Sequence, residues 1–166
     1  MGTIVLNELL RLHGDDALPI SDIVYLAGAA SIRDYEDSIF PYLQKHPETK
    51  FYNLVLHPIS ESSEIQSDWL DLPPRGSLLD WLDSFLANPK TMKDRTVGRY
   101  DNYVRTIHDT PVTLLPRVHF RSFSAGSDAE QLNPQTHHDA AERFRFWNPT
   151  CWPVNAPLKD CVGLKK

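Results

Sequence analysis

Two short polar stretches hold the residues with which this chain could move protons. In HPISESSE, residues 57–64, one imidazole and two carboxylates stand close together: His57, Glu61 and Glu64. In QTHHD, residues 135–139, His137 and His138 precede Asp139. Imidazole titrates near neutrality and so can act as a general base, and a carboxylate held against it orients the ring and stabilises its charged form. Loop glutamates and paired histidines are also common solvated residues, so the elements around them must decide which role applies. A metal site drawn from His57, Glu61 and His137 is set aside because the three residues form no ligand-spaced motif. No cofactor is expected.

Those stretches sit at the ends of apolar segments. ISDIVYLAGAA, Ile20 to Ala30, is a continuous apolar run bounded by Pro19, the pattern of a strand buried on both faces of a parallel sheet. KFYNLVL, Lys50 to Leu56, has the same character and leads directly into His57. RVHFRSF, Arg117 to Phe123, alternates and predicts a third strand, after which the His137 stretch follows. Between the first two runs Ile32, Tyr35, Ile39, Tyr42 and Leu43 recur at helical spacing, with Pro41 expected to kink the helix or divide it. GSLLDWLDSFLANP predicts a helix capped by Ser77 with Asp80 in capping-box position, its apolar face formed by Leu78, Leu79, Leu82, Phe85 and Leu86, and its end set by Asn88 and Pro89. A weaker pattern at Val97, Tyr100, Tyr103 and Val104 predicts another helix, and DAAERFRFW a short last one.

Strands alternating with helices argue for a parallel α/β sheet of about three strands flanked by helices, in one domain spanning residues 1–166. Such sheets place ligands and reactive groups at the carboxyl ends of their strands. The small residues of AGAASIRD after the first strand allow close approach of backbone or ligand there.

Composition narrows the function classes. The 166 residues carry a net charge of -5, with 41% apolar and 23% charged residues. That balance is globular, and its sign disfavours nucleic acid and anionic membrane surfaces as partners. No segment has the run of apolar residues that a membrane span needs, and Glu8, Arg11, Asp15 and Asp16 interrupt the opening in a way no secretory leader does. Cys151 and Cys161 fit neither a metal or redox motif nor a disulfide framework, so they are expected to be reduced thiols in a cytoplasmic protein.

The opening residues are unusual for a terminus. MGTIVLNELLRLHG puts Ile4, Val5, Leu6, Leu9, Leu10 and Leu12 on nearly every face of a helix. Met1 and Gly2 followed by TIVLNELL resemble the last two positions of the nucleophile elbow of a serine α/β hydrolase and the buried helix behind it. In order and spacing nearly the whole chain resembles the carboxyl-terminal half of that family, beginning one residue after the nucleophile serine.

The resemblance implies that the loop after the second strand supplies the acid and the loop after the third the histidine. It makes Glu61, five residues past Leu56, the first candidate acid, with Glu64 the alternative. His137 is the first candidate base, with His138 the alternative. Ser124, in SFSAG, is one glycine short of an elbow, and the polar residues that follow it offer no buried helix. The implied substrate of an intact parent is a small-molecule ester or acyl compound. This chain alone is expected to be inactive, and its first strand, Asp22 to Gly28, to have an open edge suited to self-association or to another protein. A non-catalytic half-domain that acts through that edge is the alternative reading.

Overall fold

The computed structural model describes residues 2–14, 20–58, 61 and 77–123. Three parallel strands form its sheet in the order β1-β2-β3: β1 Asp22–Leu26, β2 Lys50–Leu56 and β3 Val118–Phe123. The β1 register runs from Asp22 opposite Lys50 to Leu26 opposite Leu54, and the β3 register from Phe51 opposite Val118 to Leu56 opposite Phe123. The central strand has to be apolar on both faces, and every residue of β2 after Lys50 is buried. The α/β class and the parallel sheet expected from the apolar runs are therefore both present.

Helix α1, Gly2–His13, ends in Arg11 and His13, whose positive character suits a helix carboxyl terminus. Gly14 follows it because a Cβ there would stand 2.3 Å from the Leu10 carbonyl oxygen. Helix α2, Ile32–Lys45, starts at Ser31, whose hydroxyl accepts from the Asp34 amide at 3.0 Å. It runs unbroken through Pro41, where a kink or division was expected, and buries Ile32, Tyr35, Ile39, Tyr42 and Leu43 as their spacing predicts. Both helices pack on the sheet face that carries Ile23, Tyr25 and Phe51, where the Tyr25 hydroxyl donates to Asn7 of α1. Aromatic rings fill the space between: Tyr25 and Tyr35 each lie about 5 Å from Phe51, and Tyr103 stacks on Phe120 at 4.6 Å.

The segment that joins β2 to β3 contains helix α3, Leu78–Trp81, which continues as a π-helical turn over Leu82–Leu86, and helix α4, Tyr100–Thr106. Ser77 caps α3 as expected, accepting from the Asp80 amide. The side this helix buries differs from the expected one: Leu79 and Asp83 face inward, while Leu78, Phe85 and Leu86 are about 60% exposed. The cause is the set of donors waiting for the Asp83 carboxylate on the inner side. Among the described residues no helix is long and apolar enough to cross a membrane.

Candidate functional site at the carboxyl end of the sheet

Beyond β1 the chain turns sharply at Ala27, whose φ of 46° lies in the left-handed region that alanine seldom adopts. The small residues after it are needed because another stretch of backbone lies against them. Gly98 donates to the Gly28 carbonyl at 2.8 Å, Val97 to Ala30 at 2.9 Å, and Ile32 to Arg95 at 2.8 Å. A Cβ on Gly98 would come within 2.2 Å of the Gly28 nitrogen, so glycine is required there for contact rather than for φ. The close approach expected at AGAA is thus filled, on this side, by residues 95–98 of the same chain.

That contact carries Arg99 to the end of β2, where it forms a parallel bridge with Leu56. Glu61 reaches the same place from the other direction, its amide donating to the His57 carbonyl at 2.9 Å. Its side chain is buried, its residue only 4% exposed. Ser77 donates to Glu61 Oε1 at 2.6 Å, and Arg99 Nε stands 3.5 Å from that same oxygen. Burial raises the Glu61 carboxyl above the ordinary glutamate value, and the Ser77 hydroxyl and Arg99 guanidinium only partly offset it.

Arg99 is shared among three carboxylates. Its Nη2 pairs with Asp80, and its Nη1 stands 3.4 Å from Asp83 Oδ2. Burial pulls the guanidinium toward losing its proton, but Glu61, Asp80 and Asp83 together outweigh that and leave its pKa raised. Asp83 has no exposed side-chain surface. It accepts from the Thr96 amide at 2.8 Å, from the Thr96 hydroxyl at 3.2 Å and from Asn102 Nδ2 at 2.6 Å. Each ionised group in this knot is therefore met by charge or by hydrogen bonds, as burial demands.

A cleft of about 400 Å³ lies along β1 and the loop that follows it. It is lined by Gly2, Thr3 and Leu6 of α1 and by Val24, Leu26, Ala27 and Ala29 of β1 and its loop. Thr3 comes close enough to Gly28 that a Cβ there would meet its methyl group at 3.3 Å. The amino terminus of α1 and the buried Glu61 thus share the carboxyl end of the sheet. Among the described residues β1 has a single strand neighbour, β2. Helix α1 exposes Val5 and Leu12 by 67% and 74%.

Of the candidates read from the sequence, Glu61 is buried at the strand end where the argument put it, and His57 lies against Tyr100 with ring centroids 5.5 Å apart. Glu64, His137, His138, Ser124, Cys151 and Cys161 lie outside the described residues. Among the described residues no group of three or more His, Cys, Asp or Glu could hold a metal ion. The sequence reading missed Arg99 and Asp83 altogether and took Ser77 and Asp80 as caps alone. The available signal was Asp83 itself, a charge four residues beyond Leu79 on the same side of the helix.

No protein-family model, curated protein or solved structure matches this chain.

Proposed function

We propose that this chain is the acid-and-base half of a serine α/β-hydrolase-like enzyme that cleaves small-molecule esters or related acyl compounds. Glu61 is its acid and His137 its base, with Glu64 and His138 as the alternates. The nucleophile in this reading comes from a strand laid along the outer edge of β1 and ending beside Gly2. The observation that carries the reading is the shared location of the α1 amino terminus and the buried Glu61 carboxylate at the carboxyl end of a parallel sheet. A strand-to-helix turn at that point would present its side chain over the cleft, with the first amides of α1 aimed at a developing oxyanion. In this reading the acid and base await a nucleophile from that strand.

Two measurements test this. Ring titrations followed by NMR should show one of His137 and His138 with a midpoint that falls by about 1 pH unit in Glu61→Gln, because an adjacent carboxylate favours the charged imidazole. If neither ring responds, Glu61 is not the acid. Hydrolysis of a p-nitrophenyl ester by the purified chain should be negligible, and turnover abolished by His137→Ala would overturn the claim that the chain is inactive alone.

The outer edge of β1 and the exposed apolar residues of α1 favour a second reading in which the chain is a non-catalytic module that pairs this edge with another protein or with itself. Under that reading sedimentation shows self-association that Val24→Pro abolishes, since proline cannot donate along an added strand. A clean monomer at high concentration counts against pairing with itself.

A further inference from the structure

We propose that a second copy of this chain adds antiparallel to the outer edge of β1, centred on Val24, so that the three strands of each copy join in one sheet and the two α1 helices lie side by side. The proposal rests on the edge-pairing reading above and names its occupant. The hydrogen bonds to β2 show which backbone groups face the other way. In a parallel pair, alternate residues of a strand bond to a given neighbour. Lys50 donates to the Ser21 carbonyl and Ala27 to the Leu54 carbonyl, both at 2.9 Å, so Ser21, Ile23, Tyr25 and Ala27 face β2. Asp22, Val24 and Leu26 therefore turn their amides and carbonyls outward, where β1 has no second strand neighbour among the described residues.

Helix α1 presents an apolar surface on the same side. Gly2 and Leu6 line the cleft together with Val24 and Leu26, which fixes the side of the helix that borders the edge. Leu9 is three residues past Leu6 and seven past Gly2, and Val5 is three past Gly2, so both belong to that side. The other side is set by Arg11, whose Nη2 pairs with Asp34 of α2 at 2.7 Å. Leu9 is 41% exposed, and Val5 and Leu12 more so. Strand edge and apolar helix stripe thus adjoin.

What covers them has to supply a strand and an apolar helix surface together. A lone extended peptide pairs the edge and leaves Leu9 and Leu12 in water, whereas this chain carries both surfaces in one patch. A two-fold axis through Val24 and perpendicular to the sheet meets both needs at once, as an isologous interface requires. Val24 then exchanges amide and carbonyl with Val24 of the second copy, and Asp22 with Leu26, because residues with outward groups stand opposite one another. The same axis keeps both α1 helices on one face, antiparallel, with the Val5, Leu9 and Leu12 stripes turned toward each other. Glu8, at the border of the stripe, enters this contact already paired with Arg11 of its own helix.

The experiment is sedimentation equilibrium of the full chain up to about 1 mM, with amide hydrogen exchange measured at low and high concentration. The expected result is a dimer in which the Asp22, Val24 and Leu26 amides exchange more slowly than in dilute protein. Val24→Pro, which removes an outward donor, yields monomer. Leu9→Glu and Leu12→Glu combined, both at exposed positions, weaken dimerisation by at least about 100-fold. A dimer that Val24→Pro abolishes and the combined variant leaves unchanged overturns the proposal and leaves the edge-pairing reading standing. A monomer at every concentration overturns the second copy as occupant and leaves pairing with another protein. A dimer that Val24→Pro leaves intact overturns both. Should Val24→Pro fail to fold, the three amides of the wild-type chain decide, because a dimer without slowed exchange at those positions does not use the edge.

Discussion

Two buried regions of this molecule exclude water to a similar degree and are held together by different physics. Beneath the sheet, Ile23, Tyr25, Tyr35, Ile39, Phe51 and Tyr103 pack α1, α2 and α4 against one face, and almost every contact is between apolar or aromatic surfaces. At the carboxyl end of the strands, Glu61, Ser77, Asp83, Thr96 and Asn102 are buried around Arg99, and almost every contact is a hydrogen bond or an ion pair. Apolar packing is tolerant of exchange so long as volume is kept, and it supplies most of the free energy of folding. A polar knot contributes little net stability but permits only the geometry in which all its members are satisfied. The first region makes the sheet stable, and the second decides where one carboxylate sits.

That contrast is broken most severely from the apolar side. Phe51 is fully buried on the central strand between Tyr25 and Tyr35, so Phe51→Ala should cost about 3–5 kcal/mol in urea denaturation, whereas Phe51→Leu should cost less than half as much. A small loss in Phe51→Ala would mean that the aromatic cluster is not the main core.

The polar side should respond differently to volume and to charge. Asp83→Ala removes the acceptor for two Thr96 donors and for Asn102 and takes one of three carboxylates from Arg99, at a cost of about 3 kcal/mol. Asp80 meets the same guanidinium from a side chain that is 25% exposed, and Asp80→Asn should cost less than about 1 kcal/mol. Equal losses at the two positions would show that burial does not govern the knot.

Acid sharpens the comparison further, because the two kinds of carboxylate carry opposite signs. Burial raises the folded-state pKa of Glu61, so between its unfolded and folded values the native state binds more protons than the unfolded state. Its contribution to stability is therefore fully present below the ordinary glutamate range and is lost as pH rises through the folded value. Asp94, partly exposed, paired with Arg33 and accepting from Thr91, has its pKa lowered to about 2. Its contribution is present above the ordinary aspartate range and is lost as pH falls toward that value. In stability profiles against pH, Glu61→Gln should flatten a decline on the rising side, and Arg33→Ala should flatten one on the acid side. A Glu61→Gln profile that is flattened only at low pH would contradict the desolvated carboxylate.

How legible each region was in the sequence follows the same division. The three strands and the buried positions of α2 could be read because a sheet interior and an amphipathic helix impose local periods on a continuous stretch of chain. Of the kink or division expected at Pro41 the division does not occur, because the helix tolerates the missing amide within packing that the local pattern does not reveal. Glu61 was singled out through the hydrolase resemblance, which implies an acid about five residues past Leu56, and not by any local pattern of its own. The knot was not legible, since Glu61, Ser77 to Asp83 and Thr96 to Asn102 come from three segments whose approach depends on the Gly28 and Gly98 contact. No periodicity records such a pairing.

The smallest expected effect concerns the helix whose burial is inverted. By pattern alone Leu78, Leu79, Leu82, Phe85 and Leu86 form one apolar face, and burying that face would turn Asp83 toward solvent. The fold instead turns Asp83 inward, because Thr96, Asn102 and Arg99 together offer it more than water does, and it leaves Phe85 62% exposed. If the knot orients this helix, Phe85→Ser should change stability by no more than about 0.5 kcal/mol, while Leu79→Ala, on the buried side, should cost about 2–3 kcal/mol. A Phe85→Ser loss as large as that of Leu79→Ala would mean that the apolar face is the buried one, and that four donors from Thr96, Arg99 and Asn102 do not outweigh the exposed Leu78, Phe85 and Leu86.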